Sequence, residues 1–467
     1  MEFFNSRLVK SPFLQTVGEN GNIVIWHSLF GQPKIISQET LDFLNIFIEP
    51  SEVESLKKKF EIDSVAESVI QEFIDDYYLI PIGFNERDFL KTVMDKRKPL
   101  IISGSLISYL ELIVAEICNF GCLYCIHFNS LSNPSRRTSK KIMDFTTAKQ
   151  AIDWYLSILM RHNKQTAEIN FGGGEPLLAW ELIEKVLKYC LIEYCDKISF
   201  NFSINTNATL ITSEIVRILK KYKVSIASSL DGLKEGNDLV RLTKNGKGTF
   251  NRIIKGFNIL KQQGYPLDGF AVTVNGKNFK LLNAKLIDWA TLHNMSEVRI
   301  DIDVVGIVGV PINEIVNKFI YLRHYAKDCG ISVTGFWERP VENLNNSALK
   351  SHVAFCGAVR GNSLCVNPVG QIFSCGYDIC NIGDITNINT FFYKKGKYFC
   401  LVNGRQTGNF VKCQGCIIEG QCAGGCNITQ TATINGGVDK VNFMCELFCT
   451  MTKELLLEQL RETVSGH

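Results

Sequence analysis

The chain has 467 residues, 46% of them hydrophobic, and a formal net charge of +3 at pH 7. That length and apolar content suit two or three cored domains, and so small a charge excess argues against a nucleic-acid binder. No run of 18 apolar residues occurs, and Met1–Leu14 is broken by Asn5, Arg7, Lys10 and Pro12, so neither a membrane span nor an export signal is expected and the protein reads as cytoplasmic. With seventeen cysteines and no export signal, metal is expected rather than disulfides. The basic runs Lys57-Lys58-Lys59, Lys96-Arg97-Lys98 and Arg136-Arg137 with Lys140-Lys141 read as solvated faces.

Residues 1–90 form the first expected unit. Asn22–His27 and Pro33–Ile36 are predicted strands around a turn at Gly31. Helical periodicity follows over Gln38–Ile48, over a segment N-capped by Ser51 and ending at Phe60, and over a third starting at Asp63, after which Tyr77–Ile82 looks extended. This order resembles the small winged-helix peptide-recognition domain of ribosomal peptide modification, such as the peptide chaperone of pyrroloquinoline quinone biosynthesis. The resemblance implies capture of an extended leader peptide by strand addition to a sheet edge. A structural cap on the following domain is the alternative. DNA binding is the weaker reading, because no helix presents an outward Arg- or Lys-rich face.

From about 100 to 335, strand and helix alternate six times. The predicted strands are Leu110–Ile117, Ala167–Phe171, Ile198–Asn205, Val224–Ser229, Phe270–Val274 and Val298–Val304. Helices are predicted at Thr147–Leu159, Trp180–Leu191, Ser213–Tyr222, Thr249–Gln263, Leu281–Leu292 and Ile312–Tyr325. Such units imply parallel strands with right-handed crossovers, whose functional residues collect at the carboxyl ends.

The first of these strands runs into Cys118, Cys122 and Cys125, in C-x3-C-x2-C spacing. Structural zinc takes four closed ligands, whereas three thiolates on one loop suit a [4Fe-4S] cluster with one iron left open. The spacing, with the aromatic Tyr124 before the last cysteine, resembles the radical S-adenosylmethionine (SAM) enzymes. In that family the open iron chelates SAM, and reductive cleavage yields a 5'-deoxyadenosyl radical that abstracts a substrate hydrogen. The resemblance also implies a partial (β/α)6 barrel in an α/β fold and a reductant such as flavodoxin or ferredoxin.

About 50 residues after the cysteines, Gly172-Gly173-Gly174-Glu175-Pro176 ends the second strand. Glycines admit close backbone approach, and a carboxylate accepts from an ammonium. The segment matches the family motif in which Gly173, Gly174 and Glu175 would hold the SAM amino group. By the same resemblance Ser203, Asn205 and Asn207 would meet the SAM ribose and sulfonium, with Ala208 replacing the usual glycine, and Ser229 and Arg241 the ribose or carboxylate. A surface role for Arg241 stays open. The polar linker Ile126–Ile142 reads as a lid or a disordered segment; within it His127 reads as packing rather than as an acid or base.

The third unit, 345–467, carries Cys356, Gly370 and Cys375 in C-x13-G-x4-C spacing, then Cys413, Cys416, Cys422 and Cys426, then Cys445. These seven cysteines match the SPASM domain, which binds two auxiliary iron-sulfur clusters and would bring the total to three [4Fe-4S] clusters. By resemblance Cys413, Cys416, Cys422 and Cys445 would hold the distal cluster, and Cys356, Cys375 and Cys426 the nearer one. Cys365 is the candidate fourth ligand of the nearer cluster, on an expected hairpin of Leu364–Val366 with Gln371–Ser374; an open iron is the rival. Cys449, four residues after Cys445 on a helical pattern, is a possible spare ligand.

The whole resembles SPASM-containing radical SAM maturases of ribosomally made peptides, which form thioether or carbon-carbon cross-links. Formylglycine formation of the anaerobic sulfatase-maturase kind and peptide epimerisation are the enzymatic alternatives. A redox-sensing iron-sulfur protein that binds a peptide without turnover is the non-enzymatic one. The spacing singles out no residue that takes the substrate proton.

Overall fold

The computed structural model describes residues 7–60, 64–125, 142–304, 306–350, 354–378, 380–427, 429 and 437–465. Of the linker expected after the cysteine loop, residues 126–141, His127 among them, therefore lie outside the described residues, while its last residue, Ile142, bridges antiparallel to Ala115.

The N-terminal region holds β1 (Arg7–Lys10), β2 (Leu14–Glu19), β3 (Asn22–His27), β4 (Gly31–Ser37), β5 (Ser51–Glu52) and β6 (Leu79–Pro81). β2, β3 and β4 form an antiparallel meander, and β1 lies between β5 and β6. The sequence reading missed β2, although Asn20-Gly21 is a strong hairpin signal; its φ angles of 54° and 79° suit the tight turn that puts Glu19 opposite Asn22. Ser37 caps the helix Gln38–Asn45 by accepting from Thr40 N. Ser51, expected as a cap, instead pairs with Leu8 in β5, and the helix begins at Val53. With the helix Ser64–Asp75, these elements enclose a core of their own around Leu8, Ile25, Leu44, Phe47, Ile70 and Phe73.

Parallel strands β7 (Tyr109–Ala115), β8 (Thr166–Gly173), β9 (Ser199–Thr206) and β10 (Ser225–Ser228) follow, then β11 (Gly269–Val274), β12 (Glu297–Ile302) and the short β13 (Ser332–Thr334). A parallel bridge from Ser229 to Ala271 joins the two groups across the barrel wall. The six strands and five of the six expected helices stand near where the apolar periodicity put them, because each buries one face: Leu110, Leu112 and Val114 of β7 and Val298, Ile300 and Ile302 of β12 belong to the common core. The helix expected over Leu281–Leu292 starts only at Lys285, after Leu282 turns extended, and a helix at Lys234–Val240 was not expected.

β14 (Ser363–Val366), β15 (Gln371–Phe373) and β16 (Gly383–Asp384) form the expected hairpin and one more strand. β14 also pairs in parallel with β7, Leu364 opposite Leu110, so the hairpin extends the barrel's own sheet in the order β10-β9-β8-β7-β14-β15-β16.

The N-terminal region packs on the cysteine-rich segment. Trp26 donates from Nε1 to Ile417 O at 2.7 Å, Gly420 N donates to Ser28 O at 2.8 Å, and Arg87 forks onto the buried Glu419 carboxylate at 2.5 and 2.8 Å. A fully buried Trp with its N–H satisfied is a strong anchor between the two regions. No helix among the described residues is long and apolar enough to cross a membrane.

Candidate active site

The loop carrying Cys118, Cys122 and Cys125 leaves the carboxyl end of β7 and is held by backbone. Gly121 N donates to Leu242 O at 2.7 Å, Leu123 N to Val240 O at 2.9 Å, Gly174 N to Ala115 O at 2.7 Å and Glu175 N to Ile117 O at 2.9 Å. A Cβ at Gly173 would lie 2.2 Å from Ala115 O, and one at Gly174 2.4 Å from Ile117 O. The glycine run thus lets the end of β8 close against the start of the cysteine loop; Gly173, at φ 134°, also occupies backbone space other residues avoid.

Glu175 is fully buried. Its Oε1 accepts from Leu177 N at 3.0 Å and Thr206 Oγ1 at 2.7 Å, and its Oε2 from Asn207 N at 2.8 Å. A carboxylate offers about four lone-pair sites, so roughly one is left for a ligand. Burial pushes its pKa up while the three hydrogen bonds pull it down. Asn207 Nδ2 donates to Asn119 Oδ1 at 2.7 Å and approaches Cys118 Sγ at 3.8 Å, tying β9 to the same loop.

Tyr124 and Arg241 meet on Asp231. The Tyr124 hydroxyl donates to Asp231 Oδ2 at 2.5 Å, while Arg241 forks onto the carboxylate from Nε at 3.0 Å and Nη2 at 3.2 Å, with Nη2 also reaching the phenol. Arg241 is therefore no surface residue, being 7% exposed. Asp231, two residues after Ser229, had no role by sequence; only folding shows that it collects Tyr124 and Arg241. Ser203 donates to Asn170 Oδ1 at 2.9 Å, Ser229 is half-buried at the barrel seam, and Asn205 is exposed.

A polar row crosses the barrel interior in register: Cys365 of β14 beside Glu111 of β7, then Asn170 of β8, Ser203 of β9 and Ser225 of β10. Glu111 Oε2 accepts from Gly376 N at 2.8 Å, so this barrel carboxylate touches the loop of Cys375. A Cβ at Gly172 or Gly376 would lie 2.5 or 2.6 Å from Glu111 Oε1; both glycines make room for it. Cys365 is fully buried against Ile113 and Phe373. Tyr377 is 55% exposed, yet desolvation pushes its phenol pKa up, reinforced by Glu111, Cys125, Cys375 and Asp301. One phenol thus lies within electrostatic reach of both the first cysteine loop and the C-terminal thiols. Arg299, held by Asp301 at 2.6 Å, faces the same phenol. Glu111, Asn170, Tyr377 and Arg299 escaped the sequence reading; a charge inside the apolar run of β7 was the one available signal.

In the C-terminal region Cys413, Cys416, Cys422, Cys445 and Cys449 line one apolar cavity with Ile418, Met444 and Phe448. Cys416 and Cys449 stand 3.7 Å apart, sulfur to sulfur; the shared hydrogen bond draws the Cys416 pKa down and the Cys449 pKa up. Cys375 feels Cys426 and Glu111, and the nearby guanidinium of Arg405 feels Cys426 and Cys356 together with Cys422 and Cys413. Among the described residues no three His, Cys, Asp or Glu side chains converge tightly enough to chelate a single ion.

The donor set is of the kind that holds iron-sulfur clusters, three thiols on one loop and five lining one cavity. Thiols must ionise to bind metal, and burial pushes Cys122 and Cys413 up to about 11, which keeps them protonated at neutral pH until a metal draws the proton off. Buried donors without partners occur in both regions: Arg405 Nε, Gln406 Nε2 and Thr429 Oγ1 in the C-terminal region, where Thr429 lines the five-thiol cavity, and Asn170 Nδ2 in the barrel. Such donors are costly unless an acceptor arrives.

The model of the Radical SAM superfamily matches residues 112–282. The radical SAM cyclopropyl synthase TigE of Paramaledivibacter caminithermalis is 27% identical over 98% of this chain and 97% of that protein. An uncharacterized protein of Methanocaldococcus jannaschii is 32% identical over 57% of this chain and 84% of its own length. Among solved structures, native anSMEcpe with bound AdoMet aligns with a TM-score of 0.60 at 17% identity, over 75% of this chain and 98% of that one. Streptococcus suis SuiB bound to its precursor peptide SuiA aligns with a TM-score of 0.50 at 14% identity, over 92% of this chain and 97% of that one. These two likenesses show the fold.

Proposed function

We propose that this chain, an enzyme belonging to the radical SAM superfamily, modifies a ribosomally made peptide by closing a carbon-carbon bond between unactivated carbons. The observation that carries the proposal is the join at β7: its Glu111 accepts from Gly376 N at 2.8 Å, next to Cys375, and the same strand runs into the loop of Cys118, Cys122 and Cys125. A substrate carbon there stands between a site for hydrogen abstraction and a site for an electron acceptor. Closing such a bond removes one hydrogen atom, one proton and one electron, so both sites are needed. When bound at Cys118, Cys122 and Cys125, a [4Fe-4S] cluster with SAM would supply the hydrogen abstraction. Cys356, Cys375 and Cys426, with Cys365 as the proposed fourth ligand, would hold the acceptor; a flavodoxin or ferredoxin would supply the priming electron. Glu111 and Tyr377 line the space where the substrate carbon sits.

A cyclopropane ring is closed by a carbon-carbon bond, so the likeness to TigE over nearly the whole chain supports ring closure rather than a thioether. Peptide capture is proposed for the N-terminal region, where β4 is an edge of the meander and a cleft of about 500 Å³ opens beside Lys34 and Ile35. The test is anaerobic turnover with the peptide encoded beside this gene, followed by mass spectrometry. A product two hydrogens lighter that does not react with a hydrazine is expected. A hydrazine-reactive aldehyde would point to formylglycine, and a product of unchanged mass to epimerisation. Deleting residues 1–90 should abolish leader binding while SAM cleavage persists.

A further inference from the structure

Arg405 follows the helix Lys397–Gly404 and is 6% exposed. Its Nη2 donates to Gly425 O, its guanidinium lies 4.6 Å from the centre of the Phe410 ring, and its Nε has no partner. No carboxylate pairs with it among the described residues. Burying a cation is expensive unless an anion accompanies it. The sequence places Gly425 between Cys422, a wall residue of the five-thiol cavity, and Cys426, which stands near Cys375. A Cβ at Gly425 would lie 3.7 Å from Cys422 Sγ, so the carbonyl that Arg405 holds belongs to a residue lying against a wall thiol of the cavity and directly preceding Cys426.

We propose that Arg405 is the shared counter-cation of the two auxiliary cluster sites, holding both centres at potentials high enough to accept an electron and screening their mutual repulsion. This rests on the reading that both clusters are bound. The charge argument is direct. A cluster gains one negative charge on reduction, and a fixed cation in a water-poor site favours that charged state over the oxidised one. The free Nε is a buried donor that a thiolate or sulfide acceptor would satisfy.

The test is a redox titration of the anaerobically reconstituted full-length enzyme, read by electron paramagnetic resonance. In Arg405→Met, which keeps volume and loses charge, both auxiliary potentials should fall by at least a tenfold change in the reduction equilibrium, about 59 mV for one electron. Arg405→Lys should fall by less, and the cluster at Cys118, Cys122 and Cys125 should not move. Iron lost from the C-terminal region in Arg405→Met but kept in Arg405→Lys would support the proposal through assembly, since charge is what Lys retains. Unchanged auxiliary potentials with full iron, or loss of iron in both variants, would overturn it. A wild-type iron content of about four per chain instead of about twelve would overturn the three-cluster reading as well.

Discussion

The thiols of the barrel and those of the C-terminal region are assembled in opposite ways. Cys118, Cys122 and Cys125 come from a single loop whose backbone is clamped between β8 and the 240–243 segment, so their grouping is local and their surroundings are long-range. The cavity thiols come from Cys413, Cys416, Cys422, Cys445 and Cys449, and its walls include apolar side chains of the long C-terminal helix. There the grouping itself is long-range. A local triplet leaves one face open to a ligand, whereas a cavity closed by a helix suits a centre that only passes electrons. Arg405 and Glu111 mark the join, one among the C-terminal thiols and the other reaching from β7 to the loop of Cys375.

The contrast can be broken most severely at the loop. Replacing Cys118, Cys122 and Cys125 by Ala together should abolish SAM cleavage and remove about a third of the iron. The C-terminal clusters should keep their spectra, because their thiols lie on other segments. Loss of all iron would show that the two regions assemble as one.

Gly173→Ala should be next in size. Its Cβ would overlap Ala115 O at 2.2 Å, and the residue would be held at φ 134°, so a loss on the order of 3 kcal/mol is expected. Thermal unfolding measures it, and iron content should fall at the barrel site first. A melting temperature equal to wild type would mean that β8 can withdraw from the loop.

The smallest effect separates the paired thiols of the cavity. Cys445→Ala should remove the distal cluster, whereas Cys449→Ala should keep the full iron content and alter only that cluster's spectrum, because Cys449 stands 3.7 Å from Cys416 as a hydrogen-bonding neighbour. Reversed outcomes would exchange their roles. Cys365→Ala, measured alongside, should disturb only the nearer cluster.

Periodicity alone located the six barrel strands and most of their helices, because a buried face must repeat along each element. Spacing picked out the cysteine loop, and resemblance to the family motif picked out the glycine run; both are short-range, and their physical demands, converging thiols and absent Cβ atoms, are written in consecutive residues. Strand β2 was legible at Asn20-Gly21 and passed over; β5 was not, because Ser51 carries a cap's chemistry and only its pairing with Leu8 decides otherwise. Only the tertiary structure decided that Arg241 and Tyr124 serve Asp231, that Glu175 is largely spent on protein donors, and that Glu111 reaches Gly376 beside Cys375. Those partners lie 10 to 265 residues apart by sequence number, and the energy of a charge depends on what surrounds it in space, which no local pattern encodes.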